Sequence, residues 1–258
     1  MIIADTETVD LSTATGPMRS YIFRPVAGGR YPGLVLYSEI YQVTGPIRRI
    51  AVFLAGHGFV VMVPEIYHEL EPPGTVLNYN KPDTDRGNQH KITKTLSSYD
   101  GDTRAALDYL NTLPHCTGKL GVMGVCLGGH LAFRAAMNKD VLAGVCFYAT
   151  DIHTHNLGKG QHDDTLNRVA EIKGELLMGW GRQDPHIPHE GRAKIYKALT
   201  DHGVHFQWHE FNNAHAFLRD EGYRYDPAAS QISYSMILEL LNRKLGEGDV
   251  QNSLSSES

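Results

Sequence analysis

The chain has only three cysteines, Cys116, Cys126 and Cys146. So few thiols at irregular spacing exclude a disulfide framework, and a reducing compartment in which a thiol can stay reactive is expected. No apolar run approaches membrane-spanning length. Met1-Ile2-Ile3-Ala4 leads into Asp5, Glu7 and Asp10, without the basic and apolar regions of a secretory leader. The cytoplasm is therefore the expected location. Basic runs and basic-aromatic interleaving are also missing, and 24 Lys and Arg against 29 Asp and Glu give a net charge of −5. Neither nucleic acid nor an anionic membrane is an expected partner. No internal repeat is visible.

Two kinds of periodicity alternate along the 258 residues. Met18–Pro25 reads as a half-exposed strand, and Gly33–Tyr37, Phe59–Pro64, Val141–Ala149, Gly174–Trp180 and Val204–Phe211 as further strands, several apolar on both faces. Helical spacing covers Pro46–His57, Tyr99–Leu113, Glu190–Asp201 and Pro227–Leu245. Such alternation predicts an α/β fold with a mostly parallel sheet covered by helices on both faces. One domain over residues 1–245 is expected. The Ser-, Gly- and acid-rich stretch 246–258 is expected to be disordered. From about Glu65 to Ser98, where Pro72, Pro73, Gly74 and Pro82 fall, the expectation is a long irregular loop of the kind that carries function.

The most informative stretch is Gly121–Gly129, Gly-Val-Met-Gly-Val-Cys-Leu-Gly-Gly. Lys119–Met123 reads as a buried strand and His130–Ala136 as the start of a helix, so Cys126 falls on the turn between them. That turn is sharp enough to require small residues two before and two after the nucleophile, and Gly124 and Gly128 stand there. The geometry exposes the thiol and aims the Leu127 N–H, in the first helical turn, at a developing oxyanion. A phosphate-binding loop would need Lys-Ser/Thr where His130-Leu131 follows, and a dinucleotide fingerprint would need glycine in place of Cys126. A buried structural cysteine is the remaining alternative.

A cysteine nucleophile needs a base and a group that orients the base. Asp184 lies in Gly181-Arg182-Gln183-Asp184-Pro185, just past a strand, and His215 lies in Asn212-Asn213-Ala214-His215, just past the next strand. The order nucleophile, acid, histidine is that of an α/β-hydrolase sheet. Alone, Asp184 reads as a turn former or helix cap, and His215 is one of 14 histidines. Their joint placement at the carboxyl ends of successive strands is what selects them.

With these residues in hand, the chain resembles the dienelactone hydrolase family of α/β-hydrolases from about Met18 to Leu245. The resemblance is carried by Ser38-Glu39-Ile40-Tyr41, Gly124–Gly129, Gly181–Pro185 with Pro188, and His215-Ala216-Phe217-Leu218-Arg219. It implies an α/β-hydrolase fold and opening of a lactone or ester, carboxylate-bearing as in dienelactones, by a Cys126–His215–Asp184 triad without a cofactor. It implies further that the N–H groups of Leu127 and Ile40 form the oxyanion hole. Glu39 would bond the resting thiol and take its proton when substrate arrives, and Arg219 would hold the substrate carboxylate. A second carboxylate-binding arginine is expected before the Tyr99 helix, where Arg86 is nearest. Gln42 stands where the family often has glycine. A small-molecule substrate and a monomer or homodimer are expected.

A competing reading takes His153, His155, His186 and His189 as ligands of a metal-dependent hydrolase or metal-binding protein, since paired histidines at short spacing can share a metal. No Cys-x-x-Cys or His-Glu-x-x-His pattern supports it.

Overall fold

The computed structural model describes residues 1–246; the expectation for the tail lies outside the described residues apart from Gly246. Eight strands form one sheet in the order β1-β2-β4-β3-β5-β6-β7-β8. These are β1 (Glu7–Thr13), β2 (Gly16–Phe23), β3 (Tyr31–Tyr37), β4 (Val60–Pro64), β5 (Cys116–Val125), β6 (Val141–Phe147), β7 (Glu175–Gly181) and β8 (Phe206–Phe211). From β4 to β8 every pairing is parallel; β2 runs antiparallel to both β1 and β4. The parallel centre is buried on both faces because Val, Leu and Met run on without polar alternation: every residue of β4 and all but Leu142 of β6 are buried. β1 was not expected from the sequence. Its Glu7-Thr-Val-Asp-Leu-Ser-Thr13 is mostly exposed, as a strand at the sheet's edge tolerates, and Asp10 and Glu7 pair with Arg19 and Arg24 across the hairpin.

The helices are α1 (Gly45–Gly56), α2 (Lys81–Thr93), α3 (Leu96–Thr112), α4 (Leu127–Ala135), α5 (His189–Asp201) and α6 (Pro227–Leu245). α1 and α6 meet through Phe53 and Tyr234, with ring centroids 4.5 Å apart, and both contact the sheet; α3 and α4 pack together against it. Among the described residues no helix is long and apolar enough to cross a membrane.

The stretch 65–98 is not the irregular loop that its prolines and acids suggest: it contains α2. Pro82 sits in the first turn, where its missing N–H is not needed, and the Asn80 side chain caps the helix by accepting from Asp83 N at 2.9 Å. Lys81 and Asp85 add an i,i+4 pair at 2.7 Å. α2 buries only Gly87 and Lys91, so it carries almost no amphipathic signal. Its one close approach is consequential, because a Cβ on Gly87 would lie 2.5 Å from the Ile40 carbonyl oxygen. The helix thus lies against the loop that presents Ile40.

Candidate active site

β5 ends at Val125 and α4 begins at Leu127, leaving Cys126 alone on the turn with φ 58° and ψ −125°. This is a strained left-handed conformation for a residue with a side chain. The surrounding structure holds it there. Cys126 N donates to Phe147 O at 3.1 Å, and Cys126 O accepts from Gly129 N at 3.0 Å and from Thr150 N at 3.2 Å. The flanking glycines are steric requirements. A Cβ on Gly124 would fall 1.9 Å from Gly128 O, and one on Gly128 would fall 2.3 Å from Tyr37 O. The other two cysteines are buried in strands β5 and β6 and cannot replace Cys126, which is partly exposed.

His215 and Asp184, far apart in sequence, meet at the carboxyl ends of β7 and β8. His215 Nδ1 is 2.6 Å from Asp184 Oδ2, and Asp184 Oδ1 accepts from His186 N at 2.8 Å. Asp184 is buried, and its carboxylate against Nδ1 fixes the imidazole tautomer. Burial alone would depress the imidazole pKa. The negative charge of a Cys126 thiolate, and the hydrogen bond and charge of Asp184, outweigh burial and raise it above the ordinary histidine value. Tyr148 and His186 pack edge-on against the His215 ring, at centroid distances of 5.1 and 4.8 Å.

The Leu127 and Ile40 backbone N–H groups donate to no backbone carbonyl among the described residues. Leu127 is the first residue of α4, where the N–H has no partner within the helix. The loop bearing Ile40 is braced by Gln42. Gln42 adopts φ 65°, the conformation in which glycine costs least, and its buried side chain donates to Thr75 O and accepts from Tyr67 N, both at 3.1 Å. These two hydrogen bonds thus offset the backbone strain at this position.

Glu39 is 2% exposed, and its Oε2 makes no hydrogen bond among the described residues. Arg219 Nη1 stands 3.7 Å from that oxygen, while the guanidinium stacks 4.2 Å over the Tyr79 ring and its Nε donates to Glu221 O. Burial pushes the Glu39 carboxyl pKa up, and Arg219, His215 and Arg224 only partly oppose it. Between the ordinary glutamate value and this raised value, the folded protein holds a proton that the unfolded chain has released. Ionised Glu39 therefore lowers stability as pH rises through that window. Glu39→Gln is expected to raise the melting temperature at neutral pH, by about 2–4 °C per kcal/mol recovered, and to flatten the pH dependence of melting there. An unchanged or lower melting temperature in a thermal scan at pH 7 would contradict this.

These groups open into a cleft of about 490 Å³, lined among others by Glu39, Ile40, Cys126, His186, His215 and Arg219, with Tyr41, Tyr79 and Tyr223 also in its wall. Arg86 does not line it. It lies on α2 and donates to Glu71 Oε2 at 2.5 Å, so the expectation of a substrate-binding role for Arg86 is corrected. The cleft instead contains Arg224, on the same loop as Arg219, which the sequence reading missed. The four histidines of the metal reading are not a ligand set either, for no cluster fit to hold a metal exists among the described residues. His155 lies between Asp163 O at 3.1 Å and Lys194 Nζ at 3.0 Å, His153 packs on Gly191, and His189 opens α5, whereas His186 faces His215.

Comparison with known proteins gives a consistent picture. The profile of the "Dienelactone hydrolase family" matches residues 18–245. A Saccharomyces cerevisiae protein named "Putative carboxymethylenebutenolidase" is 45% identical over 253 residues, covering 93% of this chain and 92% of that protein. The carboxymethylenebutenolidase of Pseudomonas putida is 26% identical over 242 residues, covering 92% and 96%. Among solved structures, a Klebsiella pneumoniae "Putative Dienelactone Hydrolase" superposes with a TM-score of 0.81 at 18% identity, over 94% of this chain and all of that one. That last likeness is one of fold.

Proposed function

Because the chain belongs to the dienelactone hydrolase family and is a carboxylic ester or lactone hydrolase, we propose that it works through a cysteine acyl-enzyme on a carboxylate-bearing lactone or ester. The observation that carries this reading is the 2.6 Å His215–Asp184 contact beside the strained Cys126 elbow. Nucleophile, base and orienting acid are the parts that acyl transfer requires. The Cys126 sulfur bonds to the acyl carbon, and the carbonyl oxygen becomes an oxyanion held by the Leu127 and Ile40 N–H groups. The C–O bond then breaks, and the leaving oxygen takes a proton from His215, held as imidazolium by the neighbouring negative charges. Water attacks the thioester and gives its proton to the now neutral His215, the C–S bond breaks, and the released sulfur recovers its proton from Glu39 as the acid product leaves. Water is the co-reactant and no cofactor is needed.

The thiol must lose its proton before attack, and Glu39 is the group whose affinity for a proton depends on what Arg219 touches. While Arg219 faces Glu39, the carboxylate form is favoured; a substrate carboxylate that draws the Arg219 charge away makes Glu39 a stronger base. Activation is thereby tied to arrival of an anionic substrate. The same chemistry suits a reducing compartment such as the cytoplasm, where a free thiol persists.

The intermediate itself provides the test. Acid quenching of the enzyme during turnover of an aryl ester should yield a fraction of protein heavier by the acyl group, with the added mass on the peptide containing Cys126. A modification found only on another peptide, or none under conditions of rapid turnover, would overturn the acyl-cysteine reading.

A further inference from the structure

Two rings stand edge-on to His215, and they differ in what they can do. Tyr148 is buried, whereas His186 lines the cleft. His186 follows Asp184-Pro185 just past β7, and its backbone N–H, bonded to Asp184 Oδ1 at 2.8 Å, fixes where the side chain starts. Its ring centroid lies 4.8 Å from that of His215, at an interplanar angle of 72°. Only the backbone N–H of His186 is engaged; neither ring nitrogen has a hydrogen-bond partner among the described residues. Partial burial and the charge of His215 lower its pKa, and Asp184 and Asp151 oppose this only in part, so the imidazole is neutral at pH 7. A neutral imidazole presents one N–H donor and one acceptor. Packing does not require either of them, because a phenylalanine ring would brace His215 in the same edge-on manner.

We infer that His186 is a specificity-determining residue whose imidazole hydrogen-bonds an uncharged oxygen function, a hydroxyl above all, carried by the leaving group of the ester or lactone. Its place on the leaving-group side rests on the acyl-cysteine reading above. The leaving oxygen takes its proton from His215, so it comes within hydrogen-bond reach of that ring as the C–O bond breaks. A substituent on the next carbons of the leaving group then lies alongside the ring packed against His215, which is that of His186. A hydroxyl both donates and accepts, and so matches a neutral imidazole; a methyl in its place leaves the ring nitrogens facing an apolar group. Other polar groups of the cleft already have partners. Lys91 and Asp151 bind one another at 2.8 Å, and Arg219 faces Glu39 at 3.7 Å.

The monohydroxyethyl and monopropyl esters of fumaric acid test this, for they share an acyl group and their leaving groups differ by a hydroxyl in place of a methyl. Wild-type kcat/KM should favour the hydroxyethyl ester. His186→Phe should lower the hydroxyethyl-to-propyl ratio of kcat/KM about tenfold, the worth of one hydrogen bond. His186→Gln, which keeps a donor and an acceptor, should restore part of it. A ring that only braced His215 would slow both esters alike, so its loss would leave the ratio where it was. The absence of a preference in the wild-type chain, or a ratio unmoved by His186→Phe, would overturn the assignment. Acid quenching of the same wild-type reactions locates the acyl group. An unmoved ratio with the acyl group on Cys126 would remove His186 alone, whereas an acyl group on another peptide would remove the acyl-cysteine reading and, with it, the place of His186 beside the leaving oxygen.

Discussion

Cys126→Ala is expected to lower hydrolysis of a simple aryl ester or a dienelactone by on the order of 10⁴-fold or more, since a triad without its nucleophile retains only binding and oxyanion stabilisation. The backbone at Cys126 has positive φ for either residue, so alanine inherits the strain without adding to it. The variant should therefore melt close to the wild-type temperature, which separates lost chemistry from lost fold. Steady-state rates on at least two acyl groups, with the melting curve alongside, make the measurement. Retention of more than a tenth of wild-type turnover would mean that another group attacks the carbonyl. The two remaining thiols are poor candidates, because Cys116 and Cys146 are buried and burial raises both their pKa values, that of Cys146 most.

Gly124→Ala should be the most damaging single-methyl change in the chain. Its Cβ would lie 1.9 Å from Gly128 O, 2.2 Å from Gly128 C and 2.8 Å from Gly129 N, all backbone atoms of the elbow that have no side-chain rotamer to relieve the clash. The loss should exceed about 4 kcal/mol, the exceptional range for point changes. In a urea titration the variant should be unfolded, or its midpoint shifted far down, and any folded fraction should have lost the nucleophile geometry. Gly101→Ala supplies a control of opposite sign. That glycine lies exposed within α3 with nothing within 4 Å of a built Cβ. Alanine there should stabilise by roughly 0.5–1 kcal/mol through helix propensity. A Gly124→Ala midpoint as high as that of Gly101→Ala would show that the elbow tolerates a rearrangement its packing denies.

How much of this site is readable in the chain follows from the range over which each feature is determined. The elbow is legible because a strand, a glycine-bounded turn and a helix are specified within Gly121–Ala136, by local sterics. Asp184 and His215 are legible because topology alone brings the ends of adjacent parallel strands together. Arg86 and Arg224 could not be told apart that way. Which arginine enters the cleft depends on contacts distant in sequence, such as Arg49 with Asp220 and Arg86 with Glu71. His155 appears as a possible metal ligand in sequence only because its engagement by Lys194, 39 residues on, is invisible there. α2 was missed for another reason: with only Gly87 and Lys91 buried, it has no apolar stripe from which a period can be read.

That thin burial has a further consequence for the cleft. A helix is held to a globule mainly by the apolar area it removes from water, and α2 removes little. Its attachment rests mainly on polar ties: Lys91 to Asp151, Glu71 to both Arg86 and His90, Tyr67 to the Gly87 carbonyl, Tyr41 to Thr84 and Gly158 to the Lys91 carbonyl. Segments joined in this manner detach at a small fraction of the free energy that unfolds a parallel core. The wall of the cleft formed by α2 is thus a loosely moored part of a tightly packed enzyme. Substrate entry and product exit are expected to proceed by displacement of α2 while β5, α4 and Cys126 between them stay rigid.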